Sequence, residues 1–132
     1  MKDKKKWMMT ATAAVGALIG RICYECRHFT TEYYDVASDK IPEAFEGFRF
    51  VVLSDLHNYD FDQGNRKLLR AIERLKPDAV MIAGDMIDAH PGADMSAAVR
   101  MVRDLCDRWP VYFGNGNHEQ RIALYPETYG DM

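Results

Sequence analysis

Three short stretches of this 132-residue chain combine cation-binding side chains with glycines that permit tight turns. They are "SDLH" (54–57), "GD" (84–85) and "GNHE" (116–119). Carboxylate oxygens, imidazole nitrogens and amide oxygens are all ligands of first-row divalent metals. Two such ions about 3.5–4 Å apart can clamp a phosphoryl group and lower the pKa of a bridging water. Together, the three stretches therefore predict a metal-dependent site that acts on phosphate.

Each stretch taken alone has an ordinary structural explanation. An Asp-x-His after a strand is a weak metal signal, and Gly-Asp is a common turn. Asn-His can close a loop and leave the histidine in solvent. The metal site is favoured over these alternatives because all three stretches follow predicted strands, in this order along one chain.

The elements that must position these stretches alternate along the sequence. Short apolar runs predict buried strands, and apolar residues at helical spacing predict amphipathic helices between them. We predict strands over residues 48–54, 78–84 and 111–114, and helices over 65–76 and 94–109. This βαβαβ order indicates a parallel sheet, whose ligand site lies beyond the carboxyl ends of the strands. The three stretches should therefore meet at one edge of the sheet.

Local chemistry refines these helices. Asn65 and Asp94 precede the helices as candidate N-caps, and Pro77 ends the first one. Cys106 falls on the predicted apolar stripe of the second helix and should be buried. Residues 121–132 are expected to begin a further helix.

The spacing within the stretches suggests how the ligands converge. Asp55 and His57 are two residues apart, so an extended backbone would project both to one side. Asp85 follows a glycine that allows a tight turn, and its carboxylate could bridge two cations. Asn117 offers an amide oxygen, whereas His118 need not bind the same metal.

Charge is distributed unevenly along the chain. Residues 1–28 carry six basic and two acidic groups, whereas residues 29–132 carry 11 basic and 18 acidic groups. An acidic body argues against a nucleic-acid-binding surface, which needs clustered Lys and Arg. It is compatible with cation binding.

Residues 1–28 form a separate segment, with a lysine-rich head and 14 uncharged residues before Arg21. This apolar length is short of the ~20 residues that span a bilayer. It is typical of a signal-peptide core or a marginal signal anchor, with a buried core helix as the alternative. Because no convincing cleavage site follows, we expect a membrane-anchored protein with its domain on the extracytoplasmic side. Export after signal cleavage is the alternative.

Two features of the connecting region complete this division. Cys23 and Cys26 form a C-x-x-C, but no second pair exists to complete a structural zinc site. Residues 29–47 are interpreted as a connector with a lead-in strand over 30–36. Residues 48–132 are interpreted as the domain that carries the three stretches.

The motifs resemble those of the calcineurin-like metallophosphoesterase superfamily, whose opening motifs are D-x-H, G-D and G-N-H-[DE]. The resemblance covers residues from about 40 to 130. The sequence around the motifs is similar to the bacterial membrane-anchored branch of the superfamily. It implies a β-sandwich flanked by helices, and hydrolysis of phosphoester or pyrophosphate bonds by two divalent ions of manganese, iron or zinc. By position, it implies that Asp55 and His57 bind one metal, Asp85 bridges both and Asn117 binds the other. His118 would contact the substrate phosphate and is a candidate proton donor.

One departure from the resemblance is clear. Superfamily members supply a later histidine and a G-H-x-H pair, but this sequence has no histidine after His118. We therefore interpret residues 48–132 as the N-terminal part of such a domain, with one sandwich sheet whose apolar face lacks its partner. The leading function is a metal-dependent phosphoester hydrolase acting on a phosphorylated substrate, for which lipid-linked phosphates are one candidate class. The alternative is a non-catalytic membrane-tethered binding domain or a decayed gene remnant.

Overall fold

The computed structural model describes residues 2–25 and 27–124, which fall into two units, Met1–Asp35 and Val36–Met132. In chain order, the elements are α1 (Lys2–Glu25), a 3₁₀ turn (Glu43–Phe45), β1 (Phe50–Leu53), α2 (Arg66–Leu75), β2 (Ala79–Ile82), α3 (Ser96–Cys106), β3 (Val111–Phe113) and α4 (Asn117–Leu124). The predicted βαβαβ order is confirmed.

The N-terminal unit differs from the expected apolar anchor. Its helix α1 is 24 residues long, yet no helix in the described residues is long and apolar enough to span a bilayer. The physical reason lies in the charges at both ends, because the lysine head and Arg21 leave only 14 uncharged residues between them. Arg21 forms an ion pair with Glu25 within the helix, at 2.8 Å from Nε to Oε1.

The connector also differs from its prediction. Residues 28–38 contain neither helix nor strand, so the lead-in strand predicted over residues 30–36 is not formed. Tyr33 and Tyr34 are exposed there, which leaves them without the packing partners that a strand requires. Cys26 of the C-x-x-C lies outside the described residues.

The sheet has three parallel strands in the order β1-β2-β3. The register pairs Val51 with Val80 and Val80 with Val111. Parallel strands that advance across a sheet in sequence order, with right-handed crossovers, carry their connecting helices on the same face. The covered face therefore carries α2 and α3, and the carboxyl ends of all three strands open at one edge.

The core of the second unit lies between this face and the two helices. Val80, Ile72, Met101 and Leu105 are almost fully inaccessible to solvent. Leu68, Leu69 and Ile72 of α2 are buried, as the predicted helical face required. In α3 the buried residues are Ala98, Met101 and Leu105. Cys106, predicted to be buried, is exposed because the packed stripe of α3 is rotated away from it.

The opposite face of the sheet is open in residues 36–124. Val52, Met81 and Tyr112 share this face by register and are 63%, 42% and 61% exposed. A sandwich would cover such a face with a second sheet, but the described residues contain one sheet only. The uncovered apolar face expected from the sequence is thus present in the described residues.

The helix caps follow a different pattern from the expected one. Asn65 occupies the N-cap position of α2 but makes no side-chain cap; the N–H of Lys67 is instead accepted by Asp62 Oδ1 at 2.7 Å. Asn65 is fully buried, where its Oδ1 accepts from the N–H of Phe61 and its Nδ2 donates to the Tyr59 carbonyl. Asp94 Oδ1 accepts the N–H of Ser96, the first residue of α3, at 2.8 Å, but the N-cap position is occupied by Met95, one residue later than predicted.

Candidate metal centre at the carboxyl edge of the sheet

The loops after β1 and β2 continue the sheet's hydrogen bonding beyond the strands. The backbone N–H groups of Asp55 and His57 donate to the carbonyls of Gly84 and Asp85, at 3.2 and 3.1 Å. The N–H of Asn58 donates to the carbonyl of Met86 at 3.0 Å. The first two stretches identified in the sequence are therefore fixed side by side.

The backbone of these loops is left-handed and not extended. Asp55, His57 and Asp85 have φ values of 58°, 48° and 52°. Residues other than glycine rarely adopt this region, and such strain concentrates at functional sites. Asp55 and His57 are therefore adjacent because the chain turns around the buried Leu56, which differs from the extended geometry that we expected.

Asp55, His57 and Asp85 form a potential cation site. One ligand atom from each lies within 4.8 Å of the others, and His57 Nε2 is 3.5 Å from Asp55 Oδ1. An ion that binds its ligands at about 2.0–2.2 Å holds those atoms no more than about 4.4 Å apart. The donor set of two carboxylates and an imidazole, on partly exposed side chains, fits a divalent transition metal after small side-chain adjustments.

The third stretch joins this cluster through Asp85. The N–H of His118 donates to Asp85 Oδ1 at 3.0 Å, which brings the Asn117–His118 peptide next to that carboxylate. Two glycines make this approach possible. A Cβ on Gly84 would lie 2.3 Å from the backbone nitrogen of Gly116, and a Cβ on Gly116 would lie 2.2 Å from Asp85 Oδ1. Asn117 is exposed at the first position of α4.

His118 has a defined hydrogen-bonding state in this arrangement. Its Nδ1 accepts the backbone N–H of Ala89 at 2.9 Å, so the neutral ring carries its proton on Nε2. The ring packs edge-on against His57, with centroids 4.9 Å apart. The side chain is only 16% exposed, so little water can compete for its hydrogen bonds.

Asp88 is a site residue that the sequence reasoning missed. Its Oδ1 lies 3.4 Å from His118 Nδ1, and its Oδ2 lies 3.4 Å from Nδ1 of the exposed His90. His57, Asp88 and His118 form a second group of close ligand atoms. The sequence signal was available as a second aspartate three residues after Asp85, in "GDMID". His90 is exposed, and its ring contacts the carboxylate of Asp88.

Glu119 is the second residue whose role the sequence did not reveal. Its carboxylate accepts backbone N–H groups from Asp85, Met86 and Gly116, each at 2.9 Å. Burial raises the pKa of Glu119, but the backbone N–H donors, led by that of Asp85, outweigh it and lower the pKa below its ordinary value. Glu119 is therefore an ionised connector between two of the three loops.

Comparison with known proteins agrees with these features. A family model described as calcineurin-like phosphoesterase matches residues 48–131, more than half of the chain. The match includes all the residues named above at the carboxyl edge of the sheet.

Curated relatives carry corresponding names. The chain is 35% identical over 92 residues to a zebrafish (Danio rerio) transmembrane protein with metallophosphoesterase domain, covering 67% of this chain and 21% of that protein. It is 29% identical over 82 residues to an uncharacterised metallophosphoesterase of Campylobacter jejuni, covering 61% of this chain and 22% of that protein. The chain thus spans about a fifth of the length of the curated relatives it matches. No solved structure matches it significantly.

Proposed function

This chain belongs to the calcineurin-like phosphoesterase family, and from that premise we propose that it supplies the first half of a two-metal centre that hydrolyses phosphoester or pyrophosphate bonds. The observation that carries the proposal is the convergence of Asp55, His57 and Asp85, whose ligand atoms lie within 4.8 Å of one another. Family membership supports a divalent metal and hydrolase chemistry. The two-ion stoichiometry, the ligand roles and the choice among manganese, iron and zinc are parts of the proposal.

Each residue at the carboxyl edge has a distinct proposed role. Asp55 and His57 would hold one ion, Asp85 would serve both, and Asn117 would offer its amide oxygen to the other. Divalent ions bound there would supply Lewis-acid activation of water and stabilise the charge that develops on the phosphate oxygens. The left-handed turns that bring Asp55 and His57 together hold these ligands before any ion binds, which reduces the reorganisation needed on binding.

His118 is proposed to act on the substrate. Because its Nδ1 accepts the N–H of Ala89, its Nε2–H is the group available to donate to a phosphate or to a leaving oxygen. Asp88 Oδ1 lies 3.4 Å from Nδ1 of the same ring, so Nε2 is the nitrogen left to face a substrate. This geometry supports contact between His118 and the substrate without requiring His118 to be a metal ligand, and Nε2 is the candidate proton donor.

A second candidate function follows from the number of ligands. The four proposed ligands are fewer than two ions need, so water, substrate or other protein groups must complete both coordination spheres. The small number of ligands among the described residues favours, as the alternative, a domain that binds phosphorylated ligands without turnover. Both candidates use the same carboxyl edge and differ only in hydrolysis.

The substrate class and location are likewise proposals. Two curated relatives are named transmembrane proteins, which supports membrane association of this chain. An extracytoplasmic position of the domain is proposed from the lysine-rich head of residues 1–28 alone. A phosphorylated and lipid-linked substrate would suit a site held near a membrane. The acidic charge of residues 29–132 makes a nucleic acid the less suitable partner.

The test is hydrolysis of bis-(p-nitrophenyl) phosphate and of inorganic pyrophosphate with added Mn²⁺. Asp85→Asn should abolish turnover, because one uncharged oxygen cannot serve two cations. Glu73→Gln, which removes a carboxylate from the surface pair with Arg108, should leave turnover unchanged. His118→Ala should lower the rate more than the Mn²⁺ content. Near-normal Mn²⁺-dependent turnover by the Asp85 variant would disprove the assignment, and tight Mn²⁺ binding with no turnover by the unsubstituted chain would favour the binding domain.

A further inference from the structure

We propose that Glu119 is a positioning residue of this centre, whose carboxylate fixes Asp85 and Asn117 relative to each other. It does so by joining the loop after β2 to the first turn of α4. The inference rests on the proposed function only in that Asp85 and Asn117 are taken as metal ligands. Glu119 itself is not a ligand in this account.

The contacts of Glu119 converge on the residues that matter. Its Oε2 accepts both the N–H of Asp85 itself and the N–H of Gly116, the residue directly before Asn117. Its Oε1 accepts the N–H of Met86. The two loops are more than 30 residues apart in sequence, and one carboxylate holds the backbone of both.

The start of α4 shows why this connection also fixes a side chain. Glu119 is the third residue of α4. Its carboxylate accepts the N–H of Gly116, the residue directly before the helix, as in a capping box. The other half of a capping box needs an N-cap side chain, which Gly116 lacks. Asp85 replaces it, because its Oδ1 accepts the N–H of His118 at 3.0 Å. That oxygen would lie 2.2 Å from a Cβ at Gly116, in the space that a side chain would occupy.

Asp85 therefore has two tasks, as the proposed bridging ligand and as the cap of α4. The orientation of its carboxylate depends on where α4 begins, and Glu119 determines that position. Loss of Glu119 would leave the backbone N–H groups of Asp85, Met86, Ile87 and Gly116 without this acceptor and release the loop that carries Asp85. Groups that orient metal ligands in this way typically change metal affinity about 10–100-fold when removed.

Asp60 offers a matched control of the same chemistry. Its carboxylate likewise accepts several backbone N–H groups, those of Asp62, Gly64 and Asn65. These donors all lie within five residues of Asp60, so they close a single loop. Asp60 therefore reproduces the local capping by a carboxylate without connecting two strand ends.

The experiment compares E119Q, E119D and D60N in the whole chain, with Mn²⁺ as the probe. Mn²⁺ affinity is measured by electron paramagnetic resonance, and folding by circular dichroism. E119Q should weaken Mn²⁺ binding about 10–100-fold and alter the Mn²⁺ line shape, whereas D60N should change neither. E119D keeps the charge on a shorter side chain and should give an intermediate affinity. Wild-type affinity and line shape in folded E119Q would overturn the inference.

Amide hydrogen exchange without metal separates this inference from the proposed function. E119Q should accelerate exchange at Asp85, Met86 and Gly116, and D60N should accelerate it only within residues 62–65. Should E119Q not fold, E119D decides the question, because the shortened carboxylate must raise exchange at Asp85 and Met86. Unchanged exchange there would overturn the positioning role and leave the metal centre intact. Absence of Mn²⁺ binding by the unsubstituted chain, with accelerated exchange in E119Q, would instead overturn the metal centre and support the connection between the loops.

Discussion

The carboxyl edge of the sheet and its helix-covered face are stabilised in different ways. On the covered face, apolar side chains such as Ile72, Met101 and Leu105 are removed from water by α2 and α3. At the edge, the loops are held by backbone hydrogen bonds, by the Glu119 carboxylate and by the close approach of Gly84 and Gly116. The face is maintained by many small contacts, whereas the edge depends on a few specific ones.

This difference separates folding from site geometry. A packed face loses stability roughly in proportion to the volume removed from it. A polar edge tolerates little change at its few fixed positions, but those positions contribute less to the burial of apolar surface. Substitutions should therefore affect stability or metal binding selectively, according to the region in which they lie.

The largest effect is expected at the edge, from Gly84→Ala. Gly84 has a φ of +103°, and a Cβ there would meet the backbone of Gly116 at 2.3 Å. Backbone strain and the clash together should cost about 3–5 kcal/mol and abolish Mn²⁺ binding. Gly92→Ala is the control, because Gly92 has a φ of +78° with nothing within 4 Å. Equal losses in urea unfolding for both variants would show that the approach of the two loops does not matter.

On the covered face, Met101→Ala should cost about 2–5 kcal/mol, because this side chain is fully buried between helix and sheet. Met81→Ala, on the open face, should cost well under half as much, since Met81 is 42% exposed. Urea unfolding measures both. The Mn²⁺ affinity of the folded fraction should be the same in the two variants, and a selective loss of affinity in M101A would contradict the separation of face and edge.

A smaller effect concerns pH and the loop between β1 and α2. Burial raises the pKa of Asp60, but backbone N–H donors, led by Asn65, together with the nearby Arg100 charge, lower it below its ordinary value. The ionised Asp60 carboxylate contributes fully to stability above its unfolded-state pKa of about 3.9. This contribution is lost as the pH falls through the lower pKa of the folded state. D60N should remove this part of the acid destabilisation in urea unfolding between about pH 5 and pH 2. An unchanged pH profile would mean that Asp60 titrates alike in both states.

Much of the fold could be predicted from the sequence because strand and helix periods differ. The three strands and the buried face of α2 follow directly from apolar spacing, and the ligand stretches follow from their position after strands. Cys106 could not be placed, since the rotation of α3 depends on its tertiary contacts. The prediction of a lead-in strand over residues 30–36 was wrong, because β-forming residues become a strand only where a partner strand pairs with them.

The sequence predicted which residues form the site better than it predicted how they are arranged. The grouping of Asp55, His57 and Asp85 followed from parallel-sheet topology alone. The left-handed turns that bring Asp55 and His57 together could not be read from residue types. Glu119 contacts the loop after β2, and Asp88 contacts His118, across 30 or more residues of sequence, and such contacts carry no local pattern. Applying the capping-box spacing to Gly116 and Glu119 would have identified only the contact between these two residues.

Anomalous diffraction from crystals of the chain grown with Mn²⁺ would locate the metal directly. We expect a Mn²⁺ ion bound by Asp55, His57 and Asp85, at ligand distances of about 2.0–2.3 Å, with the N–H of His118 still donating to Asp85. A second ion, if present, should lie on the Asn117 side of Asp85. Mn²⁺ bound elsewhere on the protein, with these three side chains free of metal, would contradict the account.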